Sequence, residues 1–430
     1  MPEHRTRAPG PVLRLWLGLS AIAAPLARWH LRRRAARGKE DPARMREKLG
    51  IASLPRPDGV LVWMHAVGVG EALALPALIR AMRAQRPDIS VLVTTSSRTS
   101  AAALAPNMPE GAVHQFLPLD ARPFLKRFLD HWRPDLSVWA ERDLWPAMVW
   151  AVDRRGIPLA MVNGRLTEAS ARAKRRAGGL YRDLLCRFAH LGAQDPDSAA
   201  RFAALGAGQV LVTGSLKAGA DALADQLEAR AHIAARLRGR RVWIAASTHP
   251  GDEAAVAQAQ RQLLGSAPET CLIIAPRDPL RAAQLCDALN GAGLAAARIG
   301  AGNLLPDGDF DTLVLGEVGQ LGLWYRVADA AFVGGSIAPV GGHNPYEPAR
   351  LDCAVLHGPH IGNFALDYAA FHAAGAAREV WDGPSLAAAL SDPGCGAMRP
   401  AAANVAAAGR AALQAEAERL LDLLDRRAEG

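Results

Sequence analysis

The stretch that decides the fold is Gly334–Pro348, GGSIAPVGGHNPYEP, which follows the apolar run Ala330–Val333. The apolar run predicts a buried strand, and the paired glycines let the backbone approach a ligand closely. Asn344 suits a helix cap and Pro345 the first helical position, so we expect a helix start whose N–H groups favour an anion. Glu347 would then accept hydrogen bonds from sugar hydroxyls. A tight turn without a ligand explains these residues equally well.

Strand and helix patterns alternate on both sides of this stretch. Val60–His65 and Ser90–Thr95 have strand character, Glu71–Gln85 lies between them with helical character, and the alternation restarts at Val242–Ala246. Such alternation predicts an α/β fold with two Rossmann-like, doubly wound halves. Ligands of these folds lie beyond the carboxyl ends of the strands, so the cleft between the halves is the expected active site.

A length of 430 residues favours two domains. Turn residues without periodicity at 214–220 mark the predicted hinge, and Ala402–Arg427 has the apolar spacing of a long helix. The predicted segments are 1–50, 51–214, 215–400 and 401–430.

The net charge of +8 comes from the N-terminus, since residues 1–50 hold twelve Lys or Arg against four Asp or Glu. The neutral body argues against a nucleic-acid partner. Val12–Ala27 is apolar but shorter than the roughly 20 residues of a spanning helix, and the basic run Arg28–Lys39 follows it. We predict an uncleaved anchor that spans the bilayer or lies on anionic lipid, with the body in the cytoplasm. The alternative is an amphipathic helix packed on the body.

The five cysteines are scattered without metal spacing, which fits a reduced compartment. The chain has no Walker motif, no G-x-G-x-x-G after its first strand and no G-x-S-x-G elbow. His249 and His343 are interpreted as isolated histidines, a class that is more often structural than ligating.

Polar residues follow several predicted strands of the first half. Glu71 ends the turn HAVGVGE and is a candidate general base, although a first-turn glutamate favoured by the helix dipole is the commoner explanation. Glu141 comes directly after the strand Leu136–Ala140. Arg165 follows another strand and could bind a phosphate or carboxylate, or simply be solvated.

The hinge and the second half carry further candidates. Lys217 lies on the hinge, where an ammonium could neutralise charge on a leaving phosphate. Ser247 and Thr248 are good helix caps and equally good phosphate donors. Pro276-Arg277 and Gly316-Glu317-Val318 also follow predicted strands.

Taken together, these segments resemble the 3-deoxy-D-manno-octulosonic acid (Kdo) transferase family of lipopolysaccharide biosynthesis. The resemblance covers more than 300 residues in a specific order. It implies the GT-B architecture, an acceptor-binding first half, a nucleotide-binding second half and a C-terminal helix that returns to the first half. The motifs that carry it are GKEDPAR, HAVGVGE, ERDLWP, NGRLT, GSLK, STHPGDE, APRDP, FVGGS, GGHNPYEP and HGPHIGNF.

The resemblance also implies an inverting transfer of Kdo from CMP-Kdo to a lipid A precursor, at the cytoplasmic face of the inner membrane, without metal or cofactor. Glu71 would be the base, and Glu141 and Lys217 would stabilise the transition state. Gly68, Gly70 and Arg165 are assigned to the acceptor. The residues assigned to the nucleotide are Ser247, Thr248, Pro276, Arg277, Gly316, Glu317, Val318, Gly335, Ser336, Asn344, Pro345, Tyr346 and Glu347.

The chain departs from the family pattern at several positions. Members commonly have Ser at Gly68, Asn at Ser215 and His at Asp278, and Thr-Glu at Arg142-Asp143. Two other hypotheses remain open. One is a different nucleotide-sugar enzyme, such as a UDP-sugar transferase or epimerase, and the other is a catalytically silent, membrane-associated binding protein.

Overall fold

The computed structural model describes residues 7–140, 144–299 and 305–428, which form two compact units. Unit 1 runs to Ala220 and includes the chain from Gly409 onward, and unit 2 is Asp221–Ala408. The division therefore lies at the end of the turn-rich segment 214–220, six residues beyond the predicted boundary at 214.

The N-terminal apolar run forms two helices, α1 (Pro11–Ile22) and α2 (Ala24–Ala36). Pro25 lies in the first turn of α2, where its missing N–H prevents one continuous helix. Leu13 and Leu17 of α1 are buried in the unit 1 core, while its opposite side is exposed. Among the described residues, no helix has the length and apolar character needed to cross a membrane.

Unit 1 contains one parallel sheet of seven strands, in the order β3-β2-β1-β4-β5-β6-β7. The first strand therefore pairs with β2 on one side and β4 on the other, which makes the carboxyl ends of β1 and β4 the topological switch point. The strands are β1 (Leu61–Ala66), β2 (Ser90–Thr95), β3 (Ala112–Phe116), β4 (Leu136–Trp139), β5 (Leu159–Gly164), β6 (His190–Ala193) and β7 (Leu211–Val212).

Helices cover both faces of this sheet. The helix Arg122–Trp132 shows why a helix packs on the sheet. Its large apolar residues recur at helical spacing, so they form one face of the helix, and this face is buried. The helices are α3 (Val69–Gln85), α4 (Arg98–Leu104), α5 (Arg122–Trp132), α6 (Pro146–Asp153), α7 (Glu168–Arg175), α8 (Leu180–Leu185) and α9 (Pro196–Ala204). A 3-10 turn, Leu216–Gly219, follows β7.

Unit 2 contains a second parallel sheet of seven strands, in the order β10-β11-β9-β8-β12-β13-β14. Its switch point lies between β8, the first strand of the unit, and β12. The strands are β8 (Arg241–Thr248), β9 (Thr270–Pro276), β10 (Ala296–Arg298), β11 (Thr312–Val314), β12 (Ala330–Val333), β13 (Ala354–His357) and β14 (Ala377–Glu379).

The helices of unit 2 flank this sheet, and the last one continues into unit 1. They are α10 (Leu227–Arg236), α11 (Pro250–Ser266), α12 (Ala282–Gly291), α13 (Leu321–Tyr325), α14 (Tyr346–Ala349), α15 (Ala365–Ala373), α16 (Gly383–Ser391) and α17 (Gly394–Ala428).

Helix α17 begins before the predicted 401, because the Asp392 carboxylate accepts the Gly394 N–H at 2.8 Å and caps the helix there. Beyond Gly409 it packs in unit 1, where Leu413 and Leu420 share a core with Leu75 of α3.

Candidate functional site

The first candidate site lies where β1 meets α3, on the carboxyl edge of the unit 1 sheet. The Ser100 hydroxyl donates to the Val67 carbonyl at 2.9 Å and holds this turn. Glu71, partly exposed, lies in the first turn of α3. A Cβ on Gly68 would meet the Glu71 Oε2 at 2.2 Å, so the carboxylate occupies the space that a side chain at 68 would need. The position of the Glu71 carboxylate therefore fits the presence of glycine, rather than the Ser common in the family, at position 68.

Lys217 lies beside the same helix start. A Cβ on Gly70 would be 3.7 Å from the Lys217 Nζ, which places the ammonium next to the turn that carries Glu71. Asn163, at a φ of 58°, accepts the Leu216 N–H at 3.1 Å and so holds the turn of Lys217. Asn163 is not among the site residues predicted from the sequence. The feature that could have identified it is the Asn-Gly pair at the end of a strand.

The other two candidates of the first half have different outcomes. Arg165 is exposed directly after β5, which is one strand beyond β4 in the sheet. It therefore lies on the same carboxyl edge as Glu71. Glu141, with Arg142 and Asp143, lies outside the described residues.

The second candidate site lies on the carboxyl edge of the unit 2 sheet, where the loops after β8, β9 and β12 meet. Ser247 has a φ of 57° at an irregularity in β8, and a Cβ on Gly334 would approach the Ser247 carbonyl to 2.5 Å. Thr248 is buried, its carbonyl accepts the Arg277 N–H at 2.9 Å, and its hydroxyl has no hydrogen-bond partner among the described residues. The structure thus brings Ser247, Thr248 and Arg277 together, with the Arg277 side chain exposed.

The glycine-rich turn after β12 already holds an anion, the carboxylate of Asp252. This fully buried residue accepts N–H groups from Gly335 at 2.7 Å, Ile337 at 3.0 Å and Ala338 at 2.9 Å, and also from His249 at 2.9 Å. These three amides are therefore occupied by a carboxylate of α11, which supplies the negative charge from within the fold. The expected anion position, the N–H groups of the helix start after Asn344, lies further along the chain and stays a prediction.

Ser336 of the same turn is also directed inward. Its hydroxyl donates to the Val333 carbonyl at 2.5 Å and accepts the Gly358 N–H at 2.8 Å. The side chain is buried and holds two loops together. A direct nucleotide contact through this hydroxyl would require the loop to open.

The segment Asn344–Glu347 contains the predicted cap. The Asn344 Oδ1 accepts the Tyr346 N–H at 3.1 Å, which is the hydrogen bond of a helix-capping asparagine, and Pro345 already has helical dihedral angles before α14 begins at Tyr346. The Asn344 amide also donates to Glu347 Oε1 at 3.3 Å. Burial raises the pKa of the Glu347 carboxyl, against the opposing effects of Asn344, Arg350 and Arg277.

Gly316, Glu317 and Val318 follow β11 at the same edge. Glu317 Oε2 accepts the Gln320 side-chain N–H at 3.0 Å, which ties its carboxylate to the loop. Val318 is 83% exposed and presents an apolar surface to solvent.

His249 and His343 are not isolated, which corrects our interpretation of them. Their Nε2 atoms lie 3.0 Å apart, and their rings are nearly parallel, with centroids 5.3 Å apart and an angle of 6° between the ring planes. The two histidines are 94 residues apart in sequence. They come together in space because the strands that they follow, β8 and β12, are neighbours in the folded sheet. The available signal was that both follow strands flanking the switch point.

Across the described ranges 7–140, 144–299 and 305–428, no group of three or more potential ligands has the arrangement of a metal site. This finding leaves the expectation of a metal-free reaction as a prediction.

Comparisons with known proteins identify the family. A family model described as 3-deoxy-D-manno-octulosonic-acid transferase (kdotransferase) matches residues 43–220. A 3-deoxy-D-manno-octulosonic acid transferase from Bordetella pertussis is 32% identical, with 97% of each chain covered. Another, from Haemophilus influenzae, is 30% identical over 82% of this chain and 80% of its own.

The fold has relatives among solved structures as well. A glycosyltransferase from Rickettsia africae matches with a TM-score of 0.54 at 9% identity, covering 86% of this chain and 99% of its own, which supports the fold alone. The identities and coverage of the sequence relatives decide the family. The chain belongs to the 3-deoxy-D-manno-octulosonic acid transferase family and is a glycosyltransferase of the GT-B type.

Proposed function

We propose that the protein transfers Kdo from CMP-Kdo to a lipid A precursor with inversion at the anomeric carbon, and that Glu71 is the general base. The observation that carries the proposal is the position of Glu71 and Lys217 at one helix start, on the carboxyl edge of the unit 1 sheet. A carboxylate and an ammonium at a switch point are suited to group transfer. Family membership supplies the transferred sugar.

In the proposed step, Glu71 takes the proton from an acceptor hydroxyl. The hydroxyl oxygen bonds to the anomeric carbon of Kdo, the bond from that carbon to the phosphate oxygen breaks, and CMP leaves with the electron pair. A positioned base of this kind contributes about 10² to 10⁴ in rate. Lys217 stabilises the negative charge that develops, and Glu141 stays a predicted partner in this role. Gly68, Gly70 and Arg165 are proposed to line the acceptor position.

The donor is proposed to bind at the carboxyl edge of unit 2. The exposed Arg277 guanidinium is suited to a phosphate, and the exposed Val318 offers an apolar contact for the cytosine ring. Asn344 and Glu347 carry the hydrogen-bonding groups that a ribose requires. No metal enters the proposal, since cationic side chains meet the charge of a phosphodiester.

We propose that the N-terminal helices bind the cytoplasmic face of the inner membrane. The large apolar side chains Leu15, Trp16, Leu19 and Ile22 of α1, and Leu26 and Trp29 of α2, are exposed, and we call them the N-terminal apolar surface. The same segment carries four exposed arginines, of which three lie in α2 and one directly after it: Arg28, Arg32, Arg33 and Arg37. Exposed apolar side chains beside arginines are typical of segments that lie in the interface of an anionic membrane.

The test is incubation of the full-length protein with a lipid A precursor and CMP-Kdo generated in the reaction mixture. We expect the lipid to gain the mass of one or more Kdo residues while CMP is released. No glycolipid product, under conditions in which the Haemophilus influenzae relative is active, would contradict the proposal. Greater thermal stabilisation by UDP than by CMP would favour the competing nucleotide-sugar chemistry.

A further inference from the structure

The amides of the glycine-rich turn after β12 are not available to a ligand phosphate. The Asp252 carboxylate, with no exposed surface, is bonded to the N–H groups of Gly335, Ile337 and Ala338. A second anion at these amides would lose the hydrogen bonds and meet a like charge. A phosphate bound beside these three amides therefore needs other hydrogen-bond donors.

The side chains at this position are the paired imidazoles of His249 and His343. Both are partly exposed, and they lie at the switch point of the unit 2 sheet, on the loops that follow β8 and β12. A Cβ on Gly335, whose φ is 66°, would approach the His343 ring to 3.1 Å. The absence of a side chain at Gly335 therefore leaves the space that the ring occupies. The Nε2 atoms are 3.0 Å apart, so one ring is placed to donate a hydrogen bond to the other.

The charges around the pair are of both signs. Burial, then Arg277 on the loop after β9, then His249 lower the pKa of His343 to about 4, while Asp252 of α11 opposes them. The Tyr368 hydroxyl of α15 donates to the His343 carbonyl at 3.2 Å and adds no charge. Without a ligand, His343 is therefore neutral at pH 7.

We propose that His249 and His343, together with Arg277, bind the phosphate of the donor nucleotide and take up one proton on binding. The added proton leaves a hydrogen on both Nε2 atoms, which breaks their mutual hydrogen bond and provides two N–H donors for phosphate oxygens. A phosphate at hydrogen-bond distance favours the cationic form of the pair. The inference rests on the proposed function, since it requires that unit 2 binds a cytidine nucleotide.

The experiment uses the methyl ester of CMP as the probe. Its phosphodiester resembles that of a CMP-sugar and lacks the ionisation near pH 6 of a phosphomonoester, so a proton taken up belongs to the protein. Calorimetric titration of the full-length protein in two buffers of different ionisation heat measures the proton uptake. We expect net uptake, and about tenfold tighter binding at pH 6 than at pH 8 because binding is linked to protonation. Cytidine, which has no phosphate, should show neither effect.

The matched variants are His343→Gln and His249→Gln, which keep a hydrogen-bonding side chain but cannot become cationic, and His232→Gln on the exposed surface of α10 as the control. We expect either pair variant to lose the pH dependence and the control to keep it. Binding of the ester without proton uptake, or an unchanged pH dependence in both pair variants, would overturn this inference and leave the proposed function standing. No binding of CMP or its ester by the unaltered protein would overturn both.

Discussion

Gly358 and Ser336 lie so close that the Ser336 hydroxyl accepts the Gly358 N–H at 2.8 Å, and a Cβ on Gly358 would be 2.3 Å from the Ser336 carbonyl oxygen. This approach joins the loops after β12 and β13. The His360 N–H donates to the same Ser336 carbonyl at 2.8 Å. The loop that carries His343 and Asn344 is therefore held in place by the segment that starts at Gly358.

The first prediction concerns this contact. We expect Gly358→Ala to lower the free energy of unfolding by about 3 kcal/mol, because a methyl group has to displace backbone atoms rather than a flexible side chain. Chemical denaturation measures the change. Gly362→Ala is the matched control, since no atom lies within 4 Å of its added Cβ, and it should change stability by less than about 1 kcal/mol. Equal effects of both substitutions would contradict the close approach.

The second prediction concerns the internal anion of unit 2. Asp252→Asn replaces one carboxylate oxygen by an NH₂ group that faces backbone N–H donors. We expect a loss of about 3 kcal/mol in the free energy of unfolding, since charge-assisted hydrogen bonds are lost within a buried site. Asp287→Asn, on the exposed side of α12, is the control and should be nearly neutral. A stability equal to that of the unaltered protein would show that the amides have other partners.

The third prediction concerns the pH dependence of stability. His65 is fully buried with Nδ1 bonded to the Thr94 hydroxyl at 3.0 Å, and burial lowers its pKa to about 4. In the unfolded state the pKa of this histidine is near 6.5, so below that pH it binds a proton that it does not bind in the folded state. This histidine therefore contributes a loss of stability as the pH falls from about 6.5 to 4, at up to about 1.4 kcal/mol per pH unit.

The measurement for His65 is the difference in unfolding free energy between the protein and His65→Gln, followed from pH 7 to pH 4.5. Differences are needed because burial raises the pKa of the Asp120 carboxyl, which acts in the opposite direction. We expect the destabilisation caused by the substitution to shrink as the pH falls. The control His232→Gln should show a difference that does not change with pH, and a constant difference for His65→Gln as well would refute the prediction.

The fourth prediction concerns the N-terminal apolar surface. We expect the double substitution Leu19→Glu and Ile22→Glu to reduce binding to vesicles that contain anionic lipid by at least about tenfold, because two exposed apolar contacts become like-charged with the lipid. Vesicle flotation measures this binding. Leu227→Glu changes an equally exposed leucine of unit 2 and should have no effect. Unchanged flotation of the double variant would place the membrane contact elsewhere.

Much of the fold could be predicted because its signals are local. The strand Ser90–Thr95 is observed with the predicted bounds, and Leu61–Ala66 is displaced by one residue from its prediction. Buried parallel strands are near-continuous apolar runs, which a linear pattern reveals. The short strand His190–Ala193 was missed, since His and Gly interrupt its apolar pattern.

The parts of the site that escaped prediction depend on contacts between distant positions. Asp252 resembles an ordinary first-turn acid in the sequence, yet its partner Gly335 is 83 residues away. The pairing of His249 with His343 follows from the adjacency of β8 and β12, which the strand pattern alone does not establish. Glu71 and Lys217 are brought together by the 3-10 turn that Asn163 holds, which is again a tertiary effect.

The central claim is that Glu71 accepts the proton of the acceptor hydroxyl. The most direct test measures Kdo transfer and CMP binding side by side for the unaltered protein, for Glu71→Gln, and for Glu110→Gln as an exposed control in unit 1. We predict that Glu71→Gln lowers kcat by at least about 10²-fold, since a positioned base contributes that much, while CMP binding is unchanged and the control is fully active. A Glu71→Gln variant with near-normal kcat would contradict the account.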